Sequence, residues 1–469
     1  VKRDCETCQM VVPVLSDLRE KFDLTIYSQD DPAFPEAIGG ARDDTALEES
    51  YRLEIEAVPT LICTDNGTET GRTFGWNRQE WRSLTGLDEL GAELPALRPG
   101  CGSRTQEPGM AERLALRYGA LKLNARAIEV DDEADPVEIA YDRGWSDGLP
   151  IVPPTDLRIA RMLAGTSRAP DEVIGLIPPN LSECTVEKAS INAVMAGCRP
   201  DYFPVVLAAI DGALNPAFSM HGLLATLWFS GPVLIVNGPI TQRIGMNAAG
   251  NVLGQGNRAN STIGRALQLL IRNVGGGIPG EIDRAVQGNP GKVGFCFPED
   301  ESDDDWTPLN VARGARPGSD TVTLFHGDGV HGVMAWMSST PESLAKSLAM
   351  SLCSVSHPKM CHWGGAILVL SPDHYDVFRK AGLGRRTDIE GMIWQELKRP
   401  GRDLIRGAQG IDEGIDPALA DEMVDKFHEG NLLIVRAGGK GGGVSAIIGG
   451  WAAQRNNEQV RIVSQEIRP

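Results

Sequence analysis

Two cysteines three residues apart, in Cys5-Glu6-Thr7-Cys8, are the first residues of the chain able to do chemistry. A thiolate, not a thiol, attacks a disulfide, and a cysteine at the front of a helix is acidified by unpaired amides and the helix dipole. The first sulfur would form a mixed disulfide, and the second, one helical turn on, would resolve it. The spacing therefore predicts Cys5 as nucleophile, Cys8 as resolver, and a redox-active disulfide as the oxidised form. Half of a zinc site has the same spacing, but no second CxxC or CxxH stands in the same domain.

Other candidates lie further along. Cys198 follows a helix exit beside Arg199; an accessible thiol there could be serviced by the first site, and a buried, inert cysteine is the alternative. Residues 244–281 are rich in Gly and Asn ahead of a helix that Asn260 or Ser261 would cap. A glycine-rich loop before a helix can present amides to an anion, with Asn247, Arg258, Asn260 and Arg265 as contacts; an ordinary tight turn is the alternative. The loop has neither the Walker nor the GxGxxG spacing. Trp145 and Asp147 precede a rigid run of prolines in GWSDGLPIVPPT; they would line a substrate pocket or belong to a strap packed on the core.

His326 and His331 follow a strand, and His357 and Cys361 follow a helix. Together they have metal-ligand chemistry, although Pro358 interrupts their spacing and no zinc-finger pattern matches. Satisfied histidines and surface cysteines are the alternative. Six acids within 299–305 could attract a cation, but the run reads first as a solvated loop. The run 437–443, AGGKGGG, can hold a phosphate or carboxylate, or simply turn the chain.

These residues need elements to place them. Apolar residues at helical spacing follow the CxxC, and Asp65-Asn66-Gly67 between apolar runs predicts a hairpin. Asn77 would cap a helix carrying Trp81 and Leu84. Residues 94–109 are Pro/Gly-rich and read as a linker, with a boundary near 105. The expected organisation is therefore residues 1–90 as one domain, 91–109 as linker and 110–469 as a larger domain. Strands are expected at 233–236, 293–297, 322–325, 366–370 and 432–435, and helices at 186–196, 262–274, 342–352, 388–397 and 417–427. Apolar strands alternating with helices predict an α/β fold with a mostly parallel or mixed sheet covered on both faces. No internal repeat is evident.

The CxxC followed by Val58-Pro59-Thr60 resembles the thioredoxin superfamily over about residues 1–87. The resemblance implies a thioredoxin-like domain in which Cys5 and Cys8 are the redox pair. It also implies that Pro59 is a cis-proline shaping the partner-facing groove. Glu6-Thr7 replaces the family's usual Gly-Pro, and residues 30–44 read as an insertion. With GWSDGLPIVPPT, NAVMAGCRPDYFPVV and GNRANSTIGRALQL in view, residues 106–469 resemble a family of bacterial proteins associated with UGSC-type (seleno)proteins. No catalytic residue carries over from that family. Cys101-Gly102-Ser103-Arg104 echoes its motif loosely, and Arg104, standing where a cysteine would, puts a role for Cys101 in doubt.

Composition sets the outer limits. The chain has 469 residues, 42% hydrophobic and 23% charged, which suits two or three globular domains. Its net charge, 45 − 63 = −18, argues against nucleic acid and against an anionic membrane surface. No apolar run is long enough to span a bilayer. Nine cysteines with a single CxxC suit a reducing cytoplasm. Val1-Lys2-Arg3 reads as the end of a strand whose start is missing, which leaves a targeting signal open.

The expected function is a thiol-disulfide oxidoreductase. Its CxxC domain would serve a fused domain that binds a small anionic or organosulfur compound, at about millimolar effective concentration. An external thiol reductant would recharge the pair. The alternatives are a metal-dependent lyase or hydrolase at His326, His331, His357 and Cys361, and a redox-regulated binding protein.

Overall fold

The computed structural model describes residues 1–119, 121–131, 133–451 and 462–468. The chain forms two compact units, Val1–Lys122 and Leu123–Pro469, and both mix helices with small sheets. No single helix among the described residues is long and apolar enough to cross a membrane.

In the first unit a short helix, Glu6–Met10, is followed by a second, Val12–Lys21. The break falls where Pro13, lacking an N–H, cannot extend the first helix. Strand Tyr27–Ser28 pairs in parallel with Arg42–Asp43, so the insertion contributes a strand of its own. Thr60–Asp65 and Thr68–Phe74 form the expected hairpin. Asn66 and Gly67 take the positive φ angles that a two-residue turn requires. Asn77 caps Arg78–Thr85 by accepting from the Gln79 and Glu80 amides. Trp76 and Trp81 meet edge to face at 5.2 Å in the core.

The stretch expected to be a linker is instead part of this unit. Leu97–Arg98 pairs with Trp76–Asn77, and Cys101–Gly102 pairs with Ala57–Val58. Pro99 falls between the two pairings, so its missing N–H costs no ladder bond. Composition flagged the extended backbone correctly but not its partners. The boundary moves accordingly from about 105 to 122.

The second unit holds two four-stranded mixed sheets. In the first, the order is Cys296–Pro298, Gly231–Asn237, Thr321–Gly327, Val463–Glu466. In the second it is Leu432–Arg436, Gly364–Leu370, Val444–Trp451, Val330–Met334. In each, the central strand pairs parallel with the next strand of its own half and antiparallel with the third. The fourth place is filled by the other half: Val463–Glu466 closes the first sheet and Val330–Met334 closes the second. This is a topological repeat with exchanged last strands, where the sequence showed none.

The sheets pack face to face. Val233 and Ile235 of one meet Ile367, Val369 and Ile448 of the other in a shared cluster. Alternate residues Ala366, Leu368 and Leu370 point the other way, onto helices Pro341–Leu352 and Arg386–Glu396. Helices Phe203–Leu214 and Arg258–Asn273 cover the outer face of the first sheet. Both central strands are buried along their whole length, which is why they read as unbroken apolar runs. One expected helix is absent: 417–427 forms a turn, Pro417–Leu419, and a short strand, Met423–Asp425.

Candidate functional site

Cys5 caps the helix Glu6–Met10, its Sγ accepting from the Cys8 amide at 3.4 Å. The two cysteines approach to 3.2 Å as free thiols. Cys5 Sγ also lies 3.6 Å from the Val58 carbonyl oxygen, to which the protonated thiol donates. The Val58–Pro59 bond is cis, and the Pro59 carbonyl accepts from Gly75 N–H at 2.8 Å.

A third thiol joins them. Cys101 sits directly opposite Val58 in the strand pairing, and its side chain hydrogen-bonds to Cys5. Hydrogen bonds from the Cys8 side chain first, then from Cys101 and the Cys8 amide, hold Cys5 at about 5, against the opposing effect of burial. The same bonds push Cys8 and Cys101 upward, with burial adding to both. One negative charge is therefore shared by three sulfurs and rests on Cys5. With only five residues in the capped helix, direct hydrogen bonds rather than a long helix dipole account for the acidity.

The expected Cys198 site is not formed. Gly197, at φ 91°, ends helix Val186–Ala196, and Cys198 N–H reaches back to the Ala193 carbonyl. That closing motif turns the next side chain inward. Cys198 is 6% exposed, its Sγ is 3.4 Å from the Thr262 carbonyl, and burial pushes it up to about 12. All five cysteines of the second unit are buried.

The Asn/Gly-rich loop is bonded to itself. Asn257, not Asn260 or Ser261, caps the helix that starts at Arg258. Asn260 accepts from Asn247 N–H and donates to the Asn247 and Val252 carbonyls, and the Asn247 side chain donates to Gly250. Arg258 donates to the Gly197 carbonyl at 2.9 Å. Arg265 forms a bidentate pair with Asp147, 2.8 Å on each arm, and also reaches the Leu149 and Pro150 carbonyls. Trp145 lies under the Arg143 guanidinium at 5.3 Å. Asp147 and Trp145 thus belong to a strap over the helix, and both arginines are committed to protein.

The four metal candidates are not brought together. His326 is buried against the Phe218 carbonyl, whereas His331 is exposed on the edge strand of the second sheet. His357 Nδ1 accepts from Lys359 N–H, and Cys361 packs on Leu404 and Val424. Among the described residues no three His, Cys, Asp or Glu side chains converge.

The acidic run is a solvated loop only in part: Asp304 and Asp305 are exposed, but its first residue is not. Glu299 is fully buried and accepts from Asn237, Trp306, Leu309 N–H and Arg386, the last at 2.5 Å. The run 437–443 does hold a carboxylate, that of Asp373, which accepts from the Gly441, Gly442 and Gly443 amides. Those amides, Gly441 first, lower the Asp373 pKa.

The second unit does carry a cleft of about 300 Å³ lined by Thr226, Trp228, Ser356, His357, Met360 and Trp363. The Trp228 indole donates to Asp328, which burial raises. Lys426 fixes one wall by donating to the Val355, His357 and Met360 carbonyls, and burial lowers it to about 8.

Of the predicted residues, the structure groups Cys5, Cys8 and Pro59, and adds Cys101. The available signal for Cys101 was its place between two glycines, since Gly-Cys-Gly after Pro99 marks a close backbone approach. No known protein family, curated protein or solved structure matches the chain.

Proposed function

We propose that the chain is a thiol-disulfide oxidoreductase whose working pair is Cys5 and Cys8. The observation that carries this reading is the Cys5 sulfur at the front of a helix, 3.2 Å from Cys8 and beside the cis Val58–Pro59 bond, where Cys8 and Cys101 favour its thiolate. Cys5 attacks one sulfur of a disulfide and displaces the other as a thiol. Cys8 then attacks Cys5, releases the second thiol and closes the Cys5–Cys8 disulfide. Cys8 is raised chiefly by its hydrogen bond to the Cys5 thiolate. That cause vanishes once Cys5 is in a mixed disulfide, so the resolving thiol is freed to ionise at the step that needs it. An external thiol reductant returns the pair to the dithiol.

For the fused unit, the cleft at Trp228, Met360 and Trp363 suits a small organosulfur compound better than an anion. Arg258 and Arg265 are already bound to protein groups. Reduction of insulin disulfides by the wild type and by Cys5→Ser tests the redox assignment. Loss of turnover in the variant supports it, and equal turnover overturns it.

A further inference from the structure

Cys5 is 2% exposed and Cys8 0%, while Cys101 is partly exposed. A disulfide in solvent therefore meets Cys101 before it can reach the nucleophile beneath. The segment carrying Cys101 is held down at several points. Thr7 donates to the Pro99 carbonyl at 2.6 Å, Arg98 pairs with Glu6, and Lys2 donates to the Gly102 carbonyl at 3.2 Å. Gly100 lies so close that a Cβ there would sit 2.7 Å from the Val58 oxygen, the same oxygen that faces Cys5 Sγ. Only glycine lets the strand approach this closely. Cys101 is thus seated over the pair rather than on a free loop.

We infer that Cys101 is a third redox thiol, the one that captures the incoming disulfide and passes it to Cys5. This rests on the reading of Cys5 and Cys8 as a redox pair. With a disulfide RSSR′ as co-reactant, Cys101 gives its proton to solvent and attacks. A Cys101–SR bond forms, and R′S⁻ leaves, taking up a proton from solvent. Cys5 then attacks the Cys101 sulfur. A Cys5–Cys101 disulfide forms, and RS⁻ leaves with the Cys8 proton. Finally the Cys8 thiolate attacks Cys5, giving Cys5–Cys8 and releasing Cys101. Two thiols of the protein are oxidised and one disulfide is reduced to RSH and R′SH.

The test uses the reduced full chain, glutathione disulfide as probe at neutral pH, rapid alkylation and peptide mass mapping. In Cys8→Ser the product should be a Cys5–Cys101 disulfide, and in Cys5→Ser glutathione should remain on Cys101. Cys101→Ser should still form Cys5–Cys8, at least about tenfold more slowly. If Cys8→Ser stops at glutathione on Cys5 with Cys101 alkylated, the relay is wrong and the pair stands. A Cys5–Cys101 disulfide in Cys8→Ser, without glutathione on Cys101 in Cys5→Ser, overturns the order of attack. If the wild type forms no Cys5–Cys8 disulfide, the redox reading fails as well.

Discussion

The two units treat polar and ionisable groups in opposite ways. In the first, three thiols meet, and the charge they share is left on one sulfur. In the second, several residues with catalytic chemistry are already engaged by the protein itself. Arg265 is held by Asp147, Arg386 by Glu299, the glycine amides by Asp373, and Cys198 by a carbonyl. Residue type alone does not separate the two cases, since Cys5 and Cys198 are both cysteines at helix termini. What separates them is what surrounds the sulfur. Cys5 accepts hydrogen bonds from the Cys8 and Cys101 thiols and the Cys8 amide, whereas burial dominates at Cys198.

Breaking a locked pair in the second unit should have the largest effect. Glu299→Ala strands Arg386, 2% exposed, without its carboxylate, and unpairing a buried ion costs about 3–5 kcal/mol. Denaturant unfolding should show that loss while Cys5 alkylation stays at the wild-type rate. A slowed Cys5 would mean the two chemistries are coupled after all.

The cysteine contrast itself is next in size. With Cys5 at about 5 and Cys198 at about 12, the thiolate fraction of Cys198 at pH 7 is about 10⁵-fold lower. Its greater intrinsic nucleophilicity returns about 10³, leaving roughly 10² in rate before burial is added. Iodoacetamide labelling read by peptide mass would check this. Equal labelling of the two cysteines would erase the distinction. The pH profile sharpens it: Cys5 labelling should hold from pH 7 down to about 5 and fall below that, as the sulfur takes up its proton.

The smallest effect tests a purely structural cap. Asn77→Ala removes the acceptor for the Gln79 and Glu80 amides and should cost about 1 kcal/mol without changing thiol chemistry. A change in the Cys5 profile would show that the hairpin-to-helix corner positions the site.

Local chemistry made part of this molecule legible in the sequence. The CxxC, the Asn66-Gly67 hairpin, the Asn77 cap and helix Val186–Ala196 each depend on residues within a few positions of one another. What stayed hidden depends on partners far along the chain. Cys101 reaches Cys5 only through its pairing with Val58, and Glu299 meets Arg386 across 87 residues. Residues 94–109 looked like a linker because proline and glycine signal an extended backbone equally well in a tether and in an edge strand. The large-unit candidates failed for a related reason: Asn, Arg and Asp suited to a ligand are equally suited to bonding the protein's own backbone.

The exchanged fourth strands bear on how the chain is made. On a ribosome, Thr321–Gly327 emerges long before Val463–Glu466, the strand that pairs along its free side. Until Val463–Glu466 clears the exit tunnel, the first half carries an open β edge on a sheet whose core strand is wholly buried in the finished fold. Such an edge is an invitation to the wrong partner, another nascent chain above all. The exchange thus ties the first half to the synthesis of a strand far downstream of it. A premature stop near residue 450 should yield aggregate rather than a shortened, working protein.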